Sequence, residues 1–179
     1  MRTLWSLLVV ALVAGSGGCG GATAEKAAGS GTEQFTQGGV SMEPAVKAGQ
    51  VITARTVGRA YPPKRGDVVL FHGAEAHWVD TTAPLLKRVI AVGGETVACC
   101  DVAGKVTVNG APLDEPYVAD DAPLDVPPNP KSCESRRFGP VTVPGDAVFV
   151  MGDNRARSND SRCAGPIPAT SVFAVMITS

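Results

Sequence analysis

Short runs in which apolar and polar residues alternate, or in which β-branched residues cluster, recur along most of this chain. Alternation with a period of two is typical of a β-strand that buries one face. The pattern predicts strands at residues 50–56, 67–71, 86–92, 96–98, 105–108, 141–143, 147–151 and 171–178. Strands this short and this closely spaced predict a mostly β fold, with antiparallel sheets that form a single compact domain.

Turn-forming residues separate these runs. The dipeptide Asn109-Gly110 directly follows an apolar run and predicts a two-residue hairpin turn. Residues 119–137 are rich in Pro, Asp and Ser and predict a long surface loop. The 21 glycines and 14 prolines of the chain fit a fold built from short strands and turns.

The N-terminal part of the chain has a different pattern. Arg2 precedes an apolar stretch at residues 4–14, and small residues follow, which is the plan of an export signal. The stretch is shorter than the ~20 apolar residues of a membrane-spanning helix. We therefore expect an export signal or membrane anchor at 1–19, a flexible Gly-, Ala- and Thr-rich tether at 20–36, and a folded domain at 37–179.

Cys19 is the candidate lipid anchor in this segment. It follows Gly18, and the segment resembles a bacterial lipoprotein signal, in which a small residue precedes the cysteine that receives lipid. Three fates stay open: cleavage before Cys19 with lipid attachment, which we favour, a short uncleaved anchor, and cleavage with release.

Charge and cysteine spacing exclude two classes of function. The net charge of −1 leaves no excess of basic residues for a nucleic-acid-binding face. The five cysteines form no CxxC pairs, so we predict no structural zinc site, and nothing in the sequence requires another metal or a cofactor.

Four local motifs carry the candidate chemistry. They are Gly39-Val40-Ser41-Met42-Glu43-Pro44, Lys64-Arg65-Gly66-Asp67-Val68-Val69-Leu70-Phe71, Lys87-Arg88-Val89-Ile90-Ala91-Val92-Gly93-Gly94-Glu95, and Gly152-Asp153-Asn154-Arg155 with Ser158, Asp160, Ser161, Arg162 and Gly165. A serine hydroxyl such as that of Ser41 becomes a nucleophile only when a base takes its proton. The two histidines, His72 and His77, lie in a polar stretch that we expect to be an exposed loop. Lys87 opens an apolar run, and burial there would favour the neutral amine that can act as the base.

The four motifs, in this order, resemble the boxes of bacterial type I signal peptidases over residues 39–178. The resemblance implies a signal-peptidase-like domain with Ser41 as nucleophile and Lys87 as general base. It implies a serine endopeptidase that removes signal peptides from exported preproteins by cutting after small residues. It also implies attachment to the cell membrane, with the domain on the extracytoplasmic side and membrane lipid as a partner.

The resemblance assigns supporting roles as well. Ser158 matches a serine that hydrogen-bonds and orients the lysine, and Asp160 and Arg162 match a buried pair behind the site. Met42 and Leu86 match residues that line shallow pockets for small side chains. The Ser41 N–H is expected to face the developing oxyanion. Gly39 stands where many relatives carry a hydroxyl, so the second oxyanion donor stays open between a water and a backbone group.

Other functions share parts of this pattern. The self-cleaving domain of SOS-type repressors also uses a Ser/Lys dyad, but the export-like N-terminus and the motif from Gly152 to Arg155 argue against it. A specialised peptidase that matures pilus or conjugation proteins and a non-catalytic exported lipoprotein stay open as alternatives.

The cysteines of an exported chain are expected to form disulfides. We predict a bridge between one member of the Cys99-Cys100 pair and Cys133 in the long loop, in preference to a bridge between the two neighbours. Cys163 is left either paired or as a buried free thiol.

Overall fold

The computed structural model of the chain describes residues 31–78, 83–129 and 131–177. The strands within these residues are β1 (Thr32–Thr36), β2 (Val51–Thr56), β3 (Val68–His72), β4 (Pro84–Val92), β5 (Thr96–Cys99), β6 (Val106–Val108), β7 (Ala111–Pro112), β8 (Phe138–Thr142), β9 (Ala147–Met151), β10 (Ile167–Pro168) and β11 (Val172–Met176). A short helix, α1, spans Ser161–Ala164, and single 3-10 turns occur at Arg155–Arg157 and Ala169–Ser171. The predicted mostly β fold is confirmed, as is each of the predicted strands in the described residues.

The strands form two antiparallel sheets. The larger sheet has seven strands in the order β1-β2-β11-β3-β4-β9-β10, and the smaller has four in the order β7-β6-β5-β8. The chain leaves the larger sheet through the turn at Gly94, between β4 and β5, and returns to it between β8 and β9. Lys87 lies near the middle of β4, which runs between β3 and β9 in the larger sheet.

The alternating apolar residues fill three clusters. One lies between the sheets and contains Ile90 and the stacked rings of Phe138 and Phe149, whose centroids are 5.5 Å apart. A second packs around Phe71 on the larger sheet. The third lies beneath the turn that carries Ser41 and includes Met42. Burial of each large apolar side chain stabilises the fold by about 1.5–3 kcal/mol, so the third cluster also holds that turn in place.

The predicted hairpin is confirmed at Asn109-Gly110. Both residues have positive φ, +51° and +79°, which is the requirement of the two-residue turn that matches strand twist. The turn joins β6 to the two-residue strand β7, where Val108 pairs with Ala111. Sequence periodicity cannot detect strands as short as β7 and β10.

The last part of the predicted tether is folded, which corrects the boundary drawn at residue 36. Residues Thr32–Thr36 form β1 and pair with β2, and Phe35 contacts the ring of Phe173 at 5.8 Å between centroids. This edge strand was missed because it has only one large apolar residue and depends on backbone hydrogen bonds to β2. The predicted export signal, Cys19 and the tether before residue 31 lie outside the described residues.

The predicted loop at 119–137 is confirmed, but the expectation for His72 is wrong. His72 is the last residue of β3, and its ring stacks on Phe173 at 4.5 Å, so it is half-buried. His77 is exposed in the turn that follows. Neither histidine has a hydrogen bond to Ser41 among the described residues.

The disulfide prediction is also wrong. Cys99 is bonded to its neighbour Cys100, and Cys133 is bonded to Cys163. Cys99 ends a strand of the smaller sheet, whereas the loop around Cys133 packs against the residues that begin α1. Cys163, in α1, is therefore the nearby partner, with a Cα–Cα distance of 5.2 Å.

Candidate active site

Ser41 lies in the turn between β1 and β2. Met42 O accepts the N–H of Val46 at 2.9 Å, which closes the turn, and the wholly buried Met42 side chain fixes it to the third cluster. From the other side the Asn154 N–H donates to Ser41 O at 3.0 Å. The Ser41 side chain is thereby held at a defined place while remaining partly exposed.

Lys87 reaches Ser41 from the larger sheet. Its backbone pairs with Val69 of β3, and its side chain is directed by the strand to the site, where only 5% of the residue is exposed. The Nζ atom donates a hydrogen bond to Ser41 Oγ at 2.7 Å. The structure thus brings together the predicted nucleophile and the predicted base, which are far apart in sequence.

The surroundings of Lys87 favour its neutral form. Burial is the main cause that lowers the pKa of the Lys87 ammonium from 10.5 to about 8, and the positive charge of Arg162 acts in the same direction. The carboxylates of Asp160 and Asp153 partly oppose this effect. A lysine with this pKa has a substantial neutral fraction at mildly alkaline pH and can accept a proton from the serine beside it.

Asp160 and Arg162 form the buried pair that the resemblance implied. Arg162 Nε donates to Asp160 Oδ1 at 2.8 Å, and their side chains are 2% and 0% exposed. Burial alone would raise the pKa of the Asp160 carboxyl, but Arg162 and the Gly152 N–H, at 3.1 Å, keep it below its usual range. The ionised carboxylate holds the backbone at Gly152, and Arg162 Nη2 donates to Ser158 O at 3.0 Å.

The expectation that Ser158 hydrogen-bonds Lys87 is not met among the described residues. Ser158 is buried, but its Oγ donates to Asn159 O at 3.4 Å, and within the described part of the chain Lys87 Nζ hydrogen-bonds Ser41 alone. Ser158 nevertheless lies in the site, because a methyl group placed on Gly152 would overlap both its hydroxyl and Ser41 O. Its observed contacts support the backbone behind Ser41.

Gly39 has no side chain to offer an oxyanion. Its carbonyl oxygen accepts a hydrogen bond from Gln37 Nε2 at 2.8 Å, which fixes the backbone two residues before Ser41. No hydrogen bond within the described residues uses the Ser41 N–H.

The two predicted pocket residues have different surroundings. Leu86 lines a cavity of about 220 Å³ next to the site, together with Gln34, Phe35, Thr36, Gln37, Ile52, Leu70 and Pro84. Met42 is wholly buried and is not among these lining residues, but it belongs to the same cluster as three of them, Ile52, Leu70 and Leu86. The cavity lies between the segments that lead to Ser41 and to Lys87.

Sequence reasoning missed a second layer of charge pairs. Arg155 is 1% exposed and is held by Glu115 through two hydrogen bonds, of 2.5 and 3.2 Å, while Arg88 binds Asp153 at 2.6 and 2.8 Å. The ring of Tyr117 covers the Arg88 guanidinium at 4.1 Å. A buried arginine requires a carboxylate partner. In the sequence, Arg155 of the fourth motif has no assigned carboxylate partner, and that was the one indication that a residue such as Glu115 would be needed.

Comparison with known proteins agrees with this arrangement. The chain matches the family described as signal peptidase, peptidase S26, over residues 27–178. It is 40% identical over 134 residues to signal peptidase I of Mycobacterium tuberculosis strain H37Rv, covering 60% of this chain and 45% of that protein. It is 37% identical over 142 residues to signal peptidase I of Bacillus licheniformis, covering 73% of this chain and 66% of that protein.

A solved structure is also similar. The crystal structure of a signal peptidase I from Enterococcus faecalis V583 aligns with 28% identity and a TM-score of 0.46, covering 65% of this chain and 98% of that chain. The chain spans a little under half the length of the mycobacterial relative.

Proposed function

The chain belongs to the peptidase S26 family of signal peptidases, and from this premise we propose that it is a serine endopeptidase that removes signal peptides from exported preproteins. The observation that carries the proposal is the 2.7 Å hydrogen bond between Lys87 Nζ and Ser41 Oγ. A buried lysine against a serine hydroxyl, with no carboxylate hydrogen-bonded to it among the described residues, suits proton transfer better than structural support.

The reaction begins with Lys87 neutral. Its amine accepts the Ser41 proton as Oγ attacks the carbonyl carbon of the scissile peptide bond. The Ser41 N–H stabilises the oxyanion of the tetrahedral intermediate. On collapse, the C–N bond breaks, and the Lys87 ammonium returns the proton to the leaving amine. A water, whose proton Lys87 accepts, then attacks the ester at Ser41. The acyl C–Oγ bond breaks, Lys87 returns the proton to Ser41 Oγ, and the signal peptide is released with a new carboxyl end.

The substrate preference follows from the cavity beside the site. Its lining combines polar residues with the apolar side chains of Phe35, Ile52, Leu70, Pro84 and Leu86, and its volume of about 220 Å³ limits the size of the side chains that two substrate residues could place there together. We propose that residues such as alanine occupy it at the first and third positions before the cut.

The experiment that tests the function is cleavage of a purified preprotein as a function of pH. Only the neutral amine is active, so the rate is expected to rise about tenfold per pH unit on the acidic side and to level off above pH 8, near the pKa of Lys87. The cleavage site is read by mass spectrometry of the product. Absence of any cleavage would leave the non-catalytic lipoprotein, and a flat rate from pH 6 to 9 with folded protein would exclude a lysine base.

Membrane attachment through Cys19 is part of the proposal. In residues 31–78, 83–129 and 131–177 no helix is both long and apolar enough to cross a bilayer. A peptidase whose substrate is held in the membrane gains local concentration from attachment, and two or more acyl chains suffice for it. We expect Cys19→Ser to release the protein from the membrane fraction. A Cys19→Ser protein that stays in that fraction with Met1 intact would indicate an uncleaved anchor.

A further inference from the structure

The Cys133–Cys163 disulfide joins the long polar loop to α1 directly behind the site. Cys133 is 5% exposed, and the bridge spans 30 residues. Two hydrogen bonds also join the loop to residues behind the site: Arg162 Nη1 donates to Ser135 O at 3.4 Å, and the Ala156 N–H donates to Asp120 O at 3.4 Å. The disulfide adds a covalent attachment of the loop to this region.

Both halves of the disulfide contact Asp160. The Asp160 N–H donates to Cys133 Sγ at 3.2 Å, and the same sulfur lies 3.5 Å from Asp160 O. The Cys163 N–H donates to Asp160 O at 3.1 Å. Asp160 is wholly buried, so the disulfide forms one wall of the space that this carboxylate occupies.

Asp160 in turn is connected to the reacting residues. Its Oδ2 accepts the Gly152 N–H at 3.1 Å, and Gly152 lies so close to Ser41 O and Ser158 that an added Cβ would overlap both. Its partner Arg162 holds the backbone oxygens of Arg155 and Ser158 at 2.8 and 3.0 Å. If Asp160 shifted, Gly152 would shift with it and disturb the Ser41 backbone, and the charge that acts on Lys87 would also move.

We propose that the Cys133–Cys163 disulfide positions the catalytic machinery by fixing Asp160 and Arg162 behind Lys87, and does more than stabilise the loop. The inference rests on the proposed function. Among the described residues, Ser41 in its turn hydrogen-bonds Lys87, and the charges that act on Lys87 are those of Asp160 and Arg162, in the α1 segment, and Asp153, in the turn after β9. Two of these four groups are held in place by contacts that begin at the disulfide.

Loss of the disulfide is expected to change the pKa of Lys87. Water that enters around a loosened Asp160 would weaken the desolvation of Lys87, which is the main cause of its lowered pKa. A more distant Asp160 carboxylate would also raise this pKa less, but desolvation is the larger of the two effects, so we expect the net change to be upward. The pKa of Lys87 would return toward 10.5, and less neutral amine would be present at a given pH. A disulfide that only restricted the unfolded chain would change stability and leave this pKa unaltered.

The test compares the double variant Cys133→Ser/Cys163→Ser with Cys99→Ser/Cys100→Ser. The control loses a disulfide too, but one in the smaller sheet whose cysteines make no hydrogen bond to Asp160. For Cys133→Ser/Cys163→Ser we expect kcat to fall about 10- to 100-fold with KM little changed, because misplacement of the dyad affects the chemical step. We also expect the acidic limb of the pH profile to move to higher pH. Both kinetic readouts equal to those of the control would overturn the inference.

A second measurement applies if the Cys133→Ser/Cys163→Ser variant fails to fold. In the Cys99→Ser/Cys100→Ser protein, Cys133–Cys163 is the remaining disulfide of the described residues, so dithiothreitol reduces it by two electrons and oxidised glutathione restores it. Activity should fall on reduction and return on reoxidation, and activity that is indifferent to both treatments contradicts the proposal.

A readout without substrate separates this inference from the proposed function. The pKa of Lys87 can be followed by NMR of protein with isotope-labelled lysine, in the wild type and both double variants. A higher pKa only in Cys133→Ser/Cys163→Ser supports positioning even if no preprotein is cleaved. An unchanged pKa overturns positioning even if the wild type is a peptidase.

Discussion

Ser41→Ala and Lys87→Arg are each expected to lose about 10⁴-fold or more of kcat while the fold is retained, since members of a catalytic unit typically cost this much when removed singly. Ser41→Ala removes the nucleophile that Lys87 Nζ contacts at 2.7 Å. Lys87→Arg keeps the positive charge, but a guanidinium does not deprotonate near neutral pH and cannot accept the serine proton. Cleavage of a preprotein by purified protein measures both.

The matched control is Lys105→Arg, which changes an exposed lysine directly before β6 in the same way. It should retain the wild-type rate. The double variant Ser41→Ala/Lys87→Arg should be no slower than either single variant, because the two residues act in one proton transfer. A Lys87→Arg protein with more than about a tenth of the wild-type kcat would refute the assignment of Lys87 as base.

Strands were predictable wherever at least one face of the strand is buried. In β9, between β4 and β10, every residue is buried, and the run from 147 to 151 is apolar throughout. In β1 every residue is exposed except Phe35, which is half-buried. Apart from Phe35, the sequence of β1 is as polar as the segment before it. Its partner β2 determines its conformation through backbone pairing, which side-chain patterns do not encode.

The site was predictable to the extent that it consists of local motifs. Ser41 and Lys87 were identified from their own neighbours, whereas the partner of Ser158 depends on a side-chain orientation that the sequence does not specify. Cys133 was assigned to the wrong partner for a related reason. A loop of this length can reach several places, and only its packing against Asp160 selects Cys163.

Gly152→Ala is expected to abolish activity and to destabilise the fold together. An added Cβ would lie within 2.6 Å of Ser158 Cβ, and closer still to Ser158 Oγ and Ser41 O. The Ser41 carbonyl is also held by the Asn154 N–H, so it cannot move aside without displacing the turn that carries the nucleophile. Overpacking of this kind costs about 1–3 kcal/mol or more, and a displacement of about 1 Å at the reacting atoms reduces the rate by about 100-fold.

Two other glycines separate the loss of stability from the loss of catalysis. Gly93→Ala also creates a backbone clash, within 2.9 Å of Gly145 Cα, but in the turn between the two sheets. Gly139→Ala meets nothing within 4 Å. Urea unfolding should show a lower free energy of unfolding for Gly152→Ala and Gly93→Ala, with Gly139→Ala unaffected. When kcat is measured per folded molecule, only Gly152→Ala should be impaired, because only there does the added methyl press on Ser41. Equal kcat for Gly152→Ala and Gly93→Ala would mean that the Ser41 carbonyl has room to move without harm to the reaction.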